Sequence, residues 1–366
     1  MRHGGELLSL WQAGVAAVRG AAAIRAALPD LAEPPTRMIA VGKAACDMAA
    51  PVLDQWPDLP ALLVTKHGHE TALPGAPRII GAGHPIPDAA SLDAGAALAE
   101  AVAAGAADDH LLMLVSGGAS AVAELLPAGM TLDAWQAETE ALVASGADIH
   151  AINQRRREVS QIKGGKLLAG FGGARVTTLA ISDVEGDALN VIGSGIGAAP
   201  EDAPFVFRAQ IVASNAIARA AAEAAAGGQR IAANEECLYG DVTELAPALA
   251  KRLRGGAAGL YIFGGEPTVK LPDSPGRGGR NQLLALLLAR EIAGRSDIEI
   301  LVAGTDGTDG PTQDAGAWVD GDTWEARALD YIGRADSGTF LAERNALITT
   351  GPTGTNVMDL MIARKT

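Results

Sequence analysis

Short runs of apolar residues alternate along the chain with longer stretches rich in alanine and leucine. The short runs have the length of β-strands, and the longer stretches have the length of helices. Continuous apolar runs of this kind are typical of parallel strands that are buried on both faces. The pattern therefore predicts an α/β fold. Strands are predicted at 37–41, 61–65, 111–115, 175–181, 208–213, 260–263 and 298–303, and helices at 6–28, 44–55, 89–105, 131–145, 216–227, 241–254 and 281–293.

The length of the chain, 366 residues, is enough for two domains that each bury a core. A boundary is predicted in the segment 227–257, which starts and ends with paired glycines. We accordingly predict one domain over residues 1–234 and a second over 235–366.

Composition narrows the range of partners. The formal net charge of −14 disfavours nucleic acid and anionic membrane surfaces. The only two cysteines, Cys46 and Cys237, imply no disulfide framework. No signal-peptide pattern and no apolar run near the ~18 residues of a membrane span is found. We predict a cytoplasmic protein with a small-molecule substrate, and a homo-oligomer is compatible with the sequence.

The predicted strands end in loops that combine glycines, hydroxyl groups, carboxylates and cations. In open α/β sheets, ligands bind at the carboxyl ends of the strands. This combination suits a phosphorylated ligand together with a metal ion, although strand–helix turns are often rich in Gly and Asp for structural reasons. The loops contain Gly42-Lys43, Ser116 to Ser120, Ser182-Asp183 with Asp187, Gly264-Gly265-Glu266, and Gly304 to Gly310.

Lys43 and Arg280 each open a predicted helix. A cation at a helix amino terminus is unfavourable by roughly 0.3–1 kcal/mol, and a bound anion would reverse that sign. Arg280 also follows the glycines of 276–279, which would allow a phosphate to approach closely. The alternative is that both are solvated surface cations.

The loop from Ser116 to Ser120 (SGGAS) has glycines that let backbone N–H groups turn toward an anion. A plain tight turn is the alternative reading. No Walker A motif occurs in the chain.

The basic segment 153–166 places Arg156, Ser160 and Lys163 on one helical face. The glycines at 164 and 165 predict the helix end, so that Lys163 would lie in the last turn, where the dipole stabilises a cation. A solvated basic helix is the simpler interpretation.

Asp306 and Asp309 lie in a loop of glycines and threonines, with Asp314 nearby. Hard oxygen donors in such a loop suit Mg²⁺, and turn-forming aspartates are the alternative. His67 and His69 lack the partners with matching spacing that a zinc site requires.

Taken together, these loops resemble the class II glycerate 2-kinases, which combine an amino-terminal glycerate-kinase domain with a carboxyl-terminal MOFRL domain. The matching strings occur in family order over about residues 41–360. They are VGKAACDMA (41–49), GHPIPDAAS (83–91), VSGGASA (115–121), INQRRREVSQIKGGKL (152–167), SDVEGD (182–187), GGEPTV (264–269), GRGGRNQ (276–282), GTDGTDGPT (304–312) and TGPTGTNVMDL (350–360).

The resemblance implies a larger Rossmann-like parallel-sheet domain and a smaller MOFRL-type α/β domain, with the active site in the cleft between them. It implies Mg²⁺-dependent transfer of the ATP γ-phosphoryl group to the 2-hydroxyl of D-glycerate, giving 2-phosphoglycerate and ADP. Lys43 and Arg280 match the proposed catalytic cations, and Asp183 or Asp187 would accept the hydroxyl proton.

From these loops and strings together, further positions are predicted to bind substrate or nucleotide, and two to bind a metal. The binding set is Ser116, Gly117, Gly118, Ser120, Asn153, Arg156, Lys163, Gly264, Gly265, Glu266 and Asn281, and the metal set is Asp306 and Asp309.

The sequence departs from the family pattern in the loop 192–197, where the usual proline is missing. Arg155, Glu158 and Gln313 replace a usual valine, histidine and aspartate. Two alternatives remain. One is a hydroxypyruvate reductase-type oxidoreductase, because 193–198 formally fits G-x-G-x-x-A, although prolines at 200 and 204 oppose the helix such a motif needs. The other is a binder that has lost turnover.

Overall fold

The computed structural model describes residues 4–144 and 149–366, and side chains except those of 142–153. The described chain forms two compact units. One unit is Gly20–Ala213, called the 20–213 unit here. The other, called the composite unit, combines the segment that ends at Arg19 with Ser214–Thr366.

These units differ from the predicted division at 234/235. Helix α1 (Gly5–Ala17) packs against strands and a helix from the second half of the chain. Residues 231–236, which span the predicted division, form a strand of the second sheet. Sequence periodicity shows neither contact, since both depend on residues far apart in the chain.

The 20–213 unit contains a six-stranded, entirely parallel sheet in the order β3-β2-β1-β4-β5-β6. Its strands are β1 (Arg37–Val41), β2 (Ala61–Lys66), β3 (Arg78–Ala82), β4 (His110–Val115), β5 (Arg175–Ile181) and β6 (Val206–Ala213). Its helices are α2 (Gly20–Ala27), α3 (Ala45–Gln55), α4 (Ala89–Ala103), α5 (Ala119–Val122), α6 (Leu132–Ala144), α7 (Ile149–Val159) and α8 (Lys166–Ala169).

The strand order reverses between β1 and β4, as in Rossmann-like sheets, and this reversal positions the site. Chains leave the carboxyl ends of β1 and β4 in opposite directions, and a crevice for ligands forms at that point. The prediction of buried parallel strands is confirmed here, because every residue of β4 is buried. Lys43 follows β1, and the glycine loop follows β4.

The composite unit contains a mixed six-stranded sheet in the order β13-β12-β11-β14-β9-β7, with β8 and β10 paired separately. Its strands are β7 (Ile231–Glu236), β8 (Gly240–Asp241), β9 (Gly259–Gly265), β10 (Pro267–Thr268), β11 (Ile298–Gly304), β12 (Gly316–Asp320), β13 (Leu347–Ile348) and β14 (Asp359–Lys365). Its further helices are α9 (Asn215–Ala225), α10 (Val242–Gly255), α11 (Arg280–Glu291), α12 (Ala328–Gly333) and α13 (Ser337–Glu343).

The expectation of parallel strands is wrong for 298–303. Strand β11 runs antiparallel to both of its neighbours, β12 and β14. Strand β9 is parallel to β7 and antiparallel to β14. The apolar runs are nevertheless continuous because helices cover the sheet: α1 contacts β11 and β14, whereas α11 contacts β11 and β12. The apolar runs therefore indicate strands that are buried on both faces, and they do not indicate the direction of those strands.

The predicted helix 6–28 is divided into α1 and α2. The backbone N–H of Ala21 donates to the Asp47 carboxylate at 2.9 Å, so α2 has a separate amino terminus with its own cap. In the described part of the chain, no single helix is long and apolar enough to cross a membrane. Among the described residues, only the bent pair Gly5–Ala17 and Gly20–Asp30, taken together, has the length and apolar composition of a membrane span.

Candidate active site

Lys43 lies where the loops after β1 and β4 touch. Its backbone N–H donates to the Gly117 carbonyl at 2.9 Å. The next residue, Ala44, donates its N–H to Ser116 Oγ at 3.1 Å and forms the N-cap of α3. Lys43 therefore lies one residue before the N-cap of α3 and does not open the helix. The Ser116 hydroxyl accepts the hydrogen bond that joins the two loops.

The Lys43 side chain packs over Gly118. A Cβ placed on Gly118 would lie 3.0 Å from Lys43 Cγ and 3.0 Å from the His84 ring, and the φ of Gly118 is +84°. A glycine is therefore required at 118 for its conformation and for space. Among residues 4–144 and 149–366, no hydrogen-bond or ion-pair partner of the Lys43 ammonium is found. The ammonium is consequently available to an anionic ligand.

His84, the imidazole next to Lys43, carries no charge near neutral pH. Burial, followed by the charge of Lys43, lowers the pKa of His84 to about 4. The imidazole is therefore neutral near pH 7. It shapes the pocket around Lys43 without adding charge.

Asp183 follows β5 and lies against the glycine loop. A Cβ on Gly117 would collide with Asp183 Oδ2, so only glycine leaves room for the carboxylate there. The structure thus brings Lys43, Gly117, Gly118 and Asp183 together at the carboxyl edge of the sheet. Asp187 lies four residues further on in a separate turn with a φ of +53°, and nothing described places its carboxylate in this group.

Lys163 differs from its predicted setting. Helix α7 ends at Val159, so Lys163 lies in the following turn, where it is fully buried and ion-paired with Glu124. Its ammonium also donates to the Ser120 carbonyl at 2.7 Å. The expectation of a dipole-stabilised cation in the last helical turn is therefore wrong, because the helix stops before the glycines. Lys163 instead holds the loop after β4 in place through its bonds to Ser120 and Glu124.

The other predicted binding residues of this unit have separate surroundings. Ser120 Oγ hydrogen-bonds to Ser194 Oγ at 2.8 Å. Ser120 and Arg156 line one pocket of about 350 Å³. Burial lowers the pKa of Arg156, an effect that Glu124 opposes. The side chain of Asn153 lies outside the described residues.

In the composite unit, Arg280 is the first residue of α11 and is held by two carboxylates. Its Nε donates to Asp359 at 2.7 Å and its Nη1 to Glu266 at 2.8 Å. Although burial acts against it, these carboxylates raise the pKa of Arg280 above its usual value. The negative charge expected next to Arg280 is thus supplied by Asp359 and Glu266. Of the three guanidinium nitrogens, only Nη2 has no hydrogen bond within the described chain.

Asp309 and Asn281 are used to hold this helix end. Asp309 accepts from the backbone N–H groups of Asn281 and Gln282, at 3.0 and 2.8 Å, and so caps α11. The Asn281 side chain donates to Asp359 at 2.8 Å. Burial raises the pKa of Asp309 to about 7, although the two N–H groups lower it.

Asp306 is more accessible than Asp309. Its Oδ1 accepts from the Thr308 N–H at 2.9 Å, and a Cβ on Gly304 would lie 3.3 Å from that oxygen and 3.2 Å from Asp359 Oδ1. The carboxylates of Asp306 and Asp359 therefore flank the same glycine. Oxygen donors at this place fit a hard cation.

Gly264 and Gly265 are explained by packing. A Cβ on Gly264 would collide with the Asn215 side chain, and one on Gly265 would lie 2.8 Å from the Leu238 carbonyl. Asn215 in turn donates to the carbonyls of Val357 and Asp359, at 3.0 Å each. The two glycines thus make room for the Leu238 backbone and for Asn215, which bonds the segment that carries Asp359.

Sequence reasoning missed Asp359, Glu124 and His84. Asp359 ends the string TGPTGTNVMDL and His84 lies in GHPIPDAAS, so both were inside recognised strings without being singled out. Glu124 lies beyond the glycine loop in an apolar stretch, and a lone acid there is the signal that could have revealed a buried ion pair.

At its carboxyl edge, the reversed-order parallel sheet presents a glycine loop, a carboxylate and a lysine that has no partner among the described residues. This combination defines an α/β enzyme suited to handling phosphate groups. The comparisons with known proteins give the particular family. Residues 6–226 match the domain of unknown function DUF4147, and residues 259–359 match the MOFRL family.

Relatives match over almost the whole chain. The D-glycerate 2-kinase of Thermotoga maritima is 33% identical over 388 residues, covering 93% of each protein. The glycerate 2-kinase of Pyrococcus horikoshii is 33% identical and covers 89% of this chain and 86% of its own length. A protein of Agrobacterium vitis that is provisionally named a hydroxypyruvate reductase is 36% identical and covers 88% of this chain and 97% of its own.

The fold agrees with a solved structure. The crystal structure of the glycerate kinase from Thermotoga maritima superposes with a TM-score of 0.89 at 30% identity, covering 99% of each chain. The chain belongs to the class II glycerate 2-kinase family and is a kinase, as its strings predicted.

Proposed function

We propose that this kinase transfers the γ-phosphoryl group of ATP to the 2-hydroxyl of D-glycerate, giving 2-phosphoglycerate and ADP. One observation carries the proposal. The Lys43 side chain packs over a glycine loop at the reversal of the sheet, and no described residue forms a hydrogen bond or ion pair with its ammonium. The names of the relatives support glycerate as the acceptor.

Lys43 and Arg280 are the proposed cations of the reaction. Phosphoryl transfer is catalysed mainly by positioning and by neutralising charge that spreads over the phosphoryl oxygens. Lys43 brings a mobile point charge with three donors, whereas Arg280 is held rigidly by Asp359 and Glu266 and keeps Nη2 for a ligand. Each would bind a phosphoryl oxygen or the carboxylate of the acid.

Asp183 is the proposed general base. Its carboxylate lies against Gly117, next to the loop that flanks Lys43. A base within hydrogen-bond reach of the acceptor hydroxyl would take its proton as the bond to phosphorus forms. We prefer Asp183 to Asp187 because only Asp183 contacts this loop.

The residues present also fit Mg²⁺ bound together with a nucleotide. Mg²⁺ usually keeps several waters and takes one or two carboxylates plus phosphate oxygens. In residues 4–144 and 149–366, no three carboxylate, imidazole or thiol groups converge into a complete protein-only metal site. Asp306 would hold the ion, because both oxygens of Asp309 already cap α11. The ion would supply neutralisation of phosphate charge.

The segment 193–198 does not have the setting of a dinucleotide fingerprint. Such a fingerprint joins a strand directly to a helix. Here Ile192–Gly195 is a short 3₁₀ turn that starts eleven residues after β5 ends, and the chain then continues without a helix to β6. Phosphoryl transfer therefore explains the site better than hydride transfer does.

The test is an ADP-release assay across three- and four-carbon hydroxy acids, with the phosphorylated carbon identified by NMR. We expect D-glycerate to be the preferred acceptor and carbon 2 to carry the phosphate. Phosphate on carbon 3 would contradict the regiochemistry. Rapid oxidation of NADH or NADPH by hydroxypyruvate, without ADP release from any acid, would overturn the proposal.

A further inference from the structure

The pocket lined by Ser120 and Arg156 has a volume of about 350 Å³ and lies entirely within the 20–213 unit. Its walls are mainly apolar and come from Pro85, Ile86, Pro87 and Trp135. Ile86 is 60% exposed although it is a large hydrophobic residue. A ligand that covers this wall would remove apolar surface from water.

We propose that this pocket binds the adenine ring of the phosphoryl donor. The assignment rests on the proposed function, since it names where that function's nucleotide is held. A pocket of this size with apolar walls and a few polar groups is typical of sites for flat organic ligands. Glycerate, with three carbons and a carboxylate, would leave most of it unfilled and its walls uncovered.

The charges around the pocket favour a neutral ring over an anion. Arg156 is positive and Glu140 negative, and the charge of Glu124 is met by buried Lys163. The balance leaves no excess positive charge to attract a carboxylate or a triphosphate. Those groups find their cation at Lys43 instead.

Two polar groups are placed to recognise the ring. The Gln136 side-chain N–H₂ donates to the Pro87 carbonyl at 2.6 Å, which fixes the amide and leaves its Oε1 as an acceptor for an exocyclic amine. The Arg156 guanidinium lines the pocket without a hydrogen bond to any described side chain, and its plane can stack on the face of an aromatic ring.

The position relative to the loop after β4 fits a nucleotide. Ser120 belongs to the pocket, and two residues before it Gly118 packs against Lys43. A base in the pocket would therefore direct its phosphates along the glycine loop toward the ammonium. This path places the ring and the reacting phosphate at the two ends of one short loop.

The first test compares ATP with inosine triphosphate on the unmodified enzyme. Inosine carries an oxygen where adenine carries the amine, so it would face the fixed Gln136 Oε1 with an acceptor. We expect the KM for the nucleotide to rise about tenfold, the scale of one lost hydrogen bond and an unpaired polar group. Equal KM values for the two nucleotides would overturn the assignment to adenine.

The second test fills the pocket. Thr139→Trp would place a large ring among the lining residues, and Ala137→Trp, on an exposed position of the same helix, is the matched control. We expect the KM for ATP to rise at least about tenfold in Thr139→Trp, with the KM for the acid unchanged and the control like the unmodified enzyme. A rise in the KM for the acid alone would show that the pocket holds the acceptor.

Calorimetric titration with ADP separates this inference from the proposed function. If glycerate is not phosphorylated but ADP binds and Thr139→Trp abolishes that binding, the pocket assignment stands while the reaction fails. If glycerate is phosphorylated and ADP binds Thr139→Trp as tightly as it binds the unmodified protein, the pocket assignment is wrong while the reaction stands. Circular dichroism of both variants establishes that they are folded.

Discussion

The Lys163 ammonium donates a hydrogen bond to the Glu124 carboxylate at a point where their side chains are 1% and 0% exposed. Burial lowers the pKa of Lys163, and the negative charge of Glu124 opposes that effect. Because Lys163 also bonds to the Ser120 carbonyl, the pair fixes the loop after β4 to the turn after α7.

Lys163→Met should destabilise the protein, because it leaves a buried carboxylate without its cation. Breaking a buried pair in this way costs about 3–5 kcal/mol in the free energy of unfolding. Urea denaturation followed by circular dichroism measures the change, with Lys251→Met, an exposed position of α10, as control. Adding Glu124→Leu to Lys163→Met should restore most of the loss, and no recovery would argue against an uncompensated charge as its cause.

Gly118→Ala should impair turnover more than it impairs stability. The φ values of Gly118 and Gly129 are +84° and +89°, so both alanine variants pay about 1–2 kcal/mol for the left-handed conformation. Only at 118 would the new methyl group press on Lys43 and His84, since nothing lies within 4 Å of a Cβ at 129. We expect kcat to fall about 100-fold for Gly118→Ala through misplacement of Lys43, and to stay near normal for Gly129→Ala. Equal kcat values in the two variants would contradict the role given to this contact.

Lys43→Met should lower kcat by about 100- to 1,000-fold, the range seen when one donor to a developing negative charge is removed. Since no described residue bonds the ammonium, the melting temperature should stay within the error of the measurement. Steady-state kinetics and thermal denaturation together check both halves of this expectation. A large fall in melting temperature would mean that Lys43 has a structural role instead.

Arg280→Lys should reduce kcat while keeping the charge at this position. A lysine carries all its N–H donors on one nitrogen, so it cannot reproduce the planar fork in which Nε and Nη1 bond Asp359 and Glu266 while the separate Nη2 stays available to a ligand. We expect a fall in kcat of at least about 100-fold. Arg290→Lys is the matched control, because Arg290 lies in the last turn of the same helix and its side chain forms a hydrogen bond only with Glu291 in the described chain. Retained activity in Arg280→Lys would show that charge alone suffices.

The free energy of unfolding should depend on Asp309 between about pH 4 and pH 7. Its pKa is raised by burial to about 7 in the folded protein, above the usual 3.8 of the unfolded chain. The folded state then binds more protons than the unfolded state in this window, so stability falls as pH rises from 4 to 7 and is level above 7. Asp309→Asn should remove this slope of a few kcal/mol when unfolding is measured at several pH values. An unchanged slope would assign it to other groups.

The fold of the 20–213 unit could be largely predicted because its strands carry their signal locally. The runs 37–41 and 175–181 coincide with β1 and β5, since strands buried on both faces are apolar throughout. Strand β3 was missed, because only one of its five residues is buried. The strand direction in the composite unit was missed as well, because an apolar run records burial and not the orientation of its neighbours.

The candidate site was predictable as a set of loops but not as a set of contacts. Lys43 and Asp183 follow strands whose carboxyl ends share one edge, which topology alone brings together. The partners of Arg280 and Lys163 are not local, since Asp359 lies 79 residues from Arg280 and Glu124 lies 39 residues from Lys163. Asp309 looked like a metal ligand because an unpaired aspartate and a helix-capping one have the same sequence signature.

Helix α1 packs against strands that are synthesised much later, which affects when it can fold. Its buried residues Leu7, Leu10 and Trp11 leave the ribosome before the strands that cover them, β11 and β14, which follow about 290 and 350 residues later. The 20–213 unit has all of its strands well before that point and can form while translation continues. The apolar face of α1 therefore stays exposed or bound to another surface until the seven residues of β14 have been synthesised.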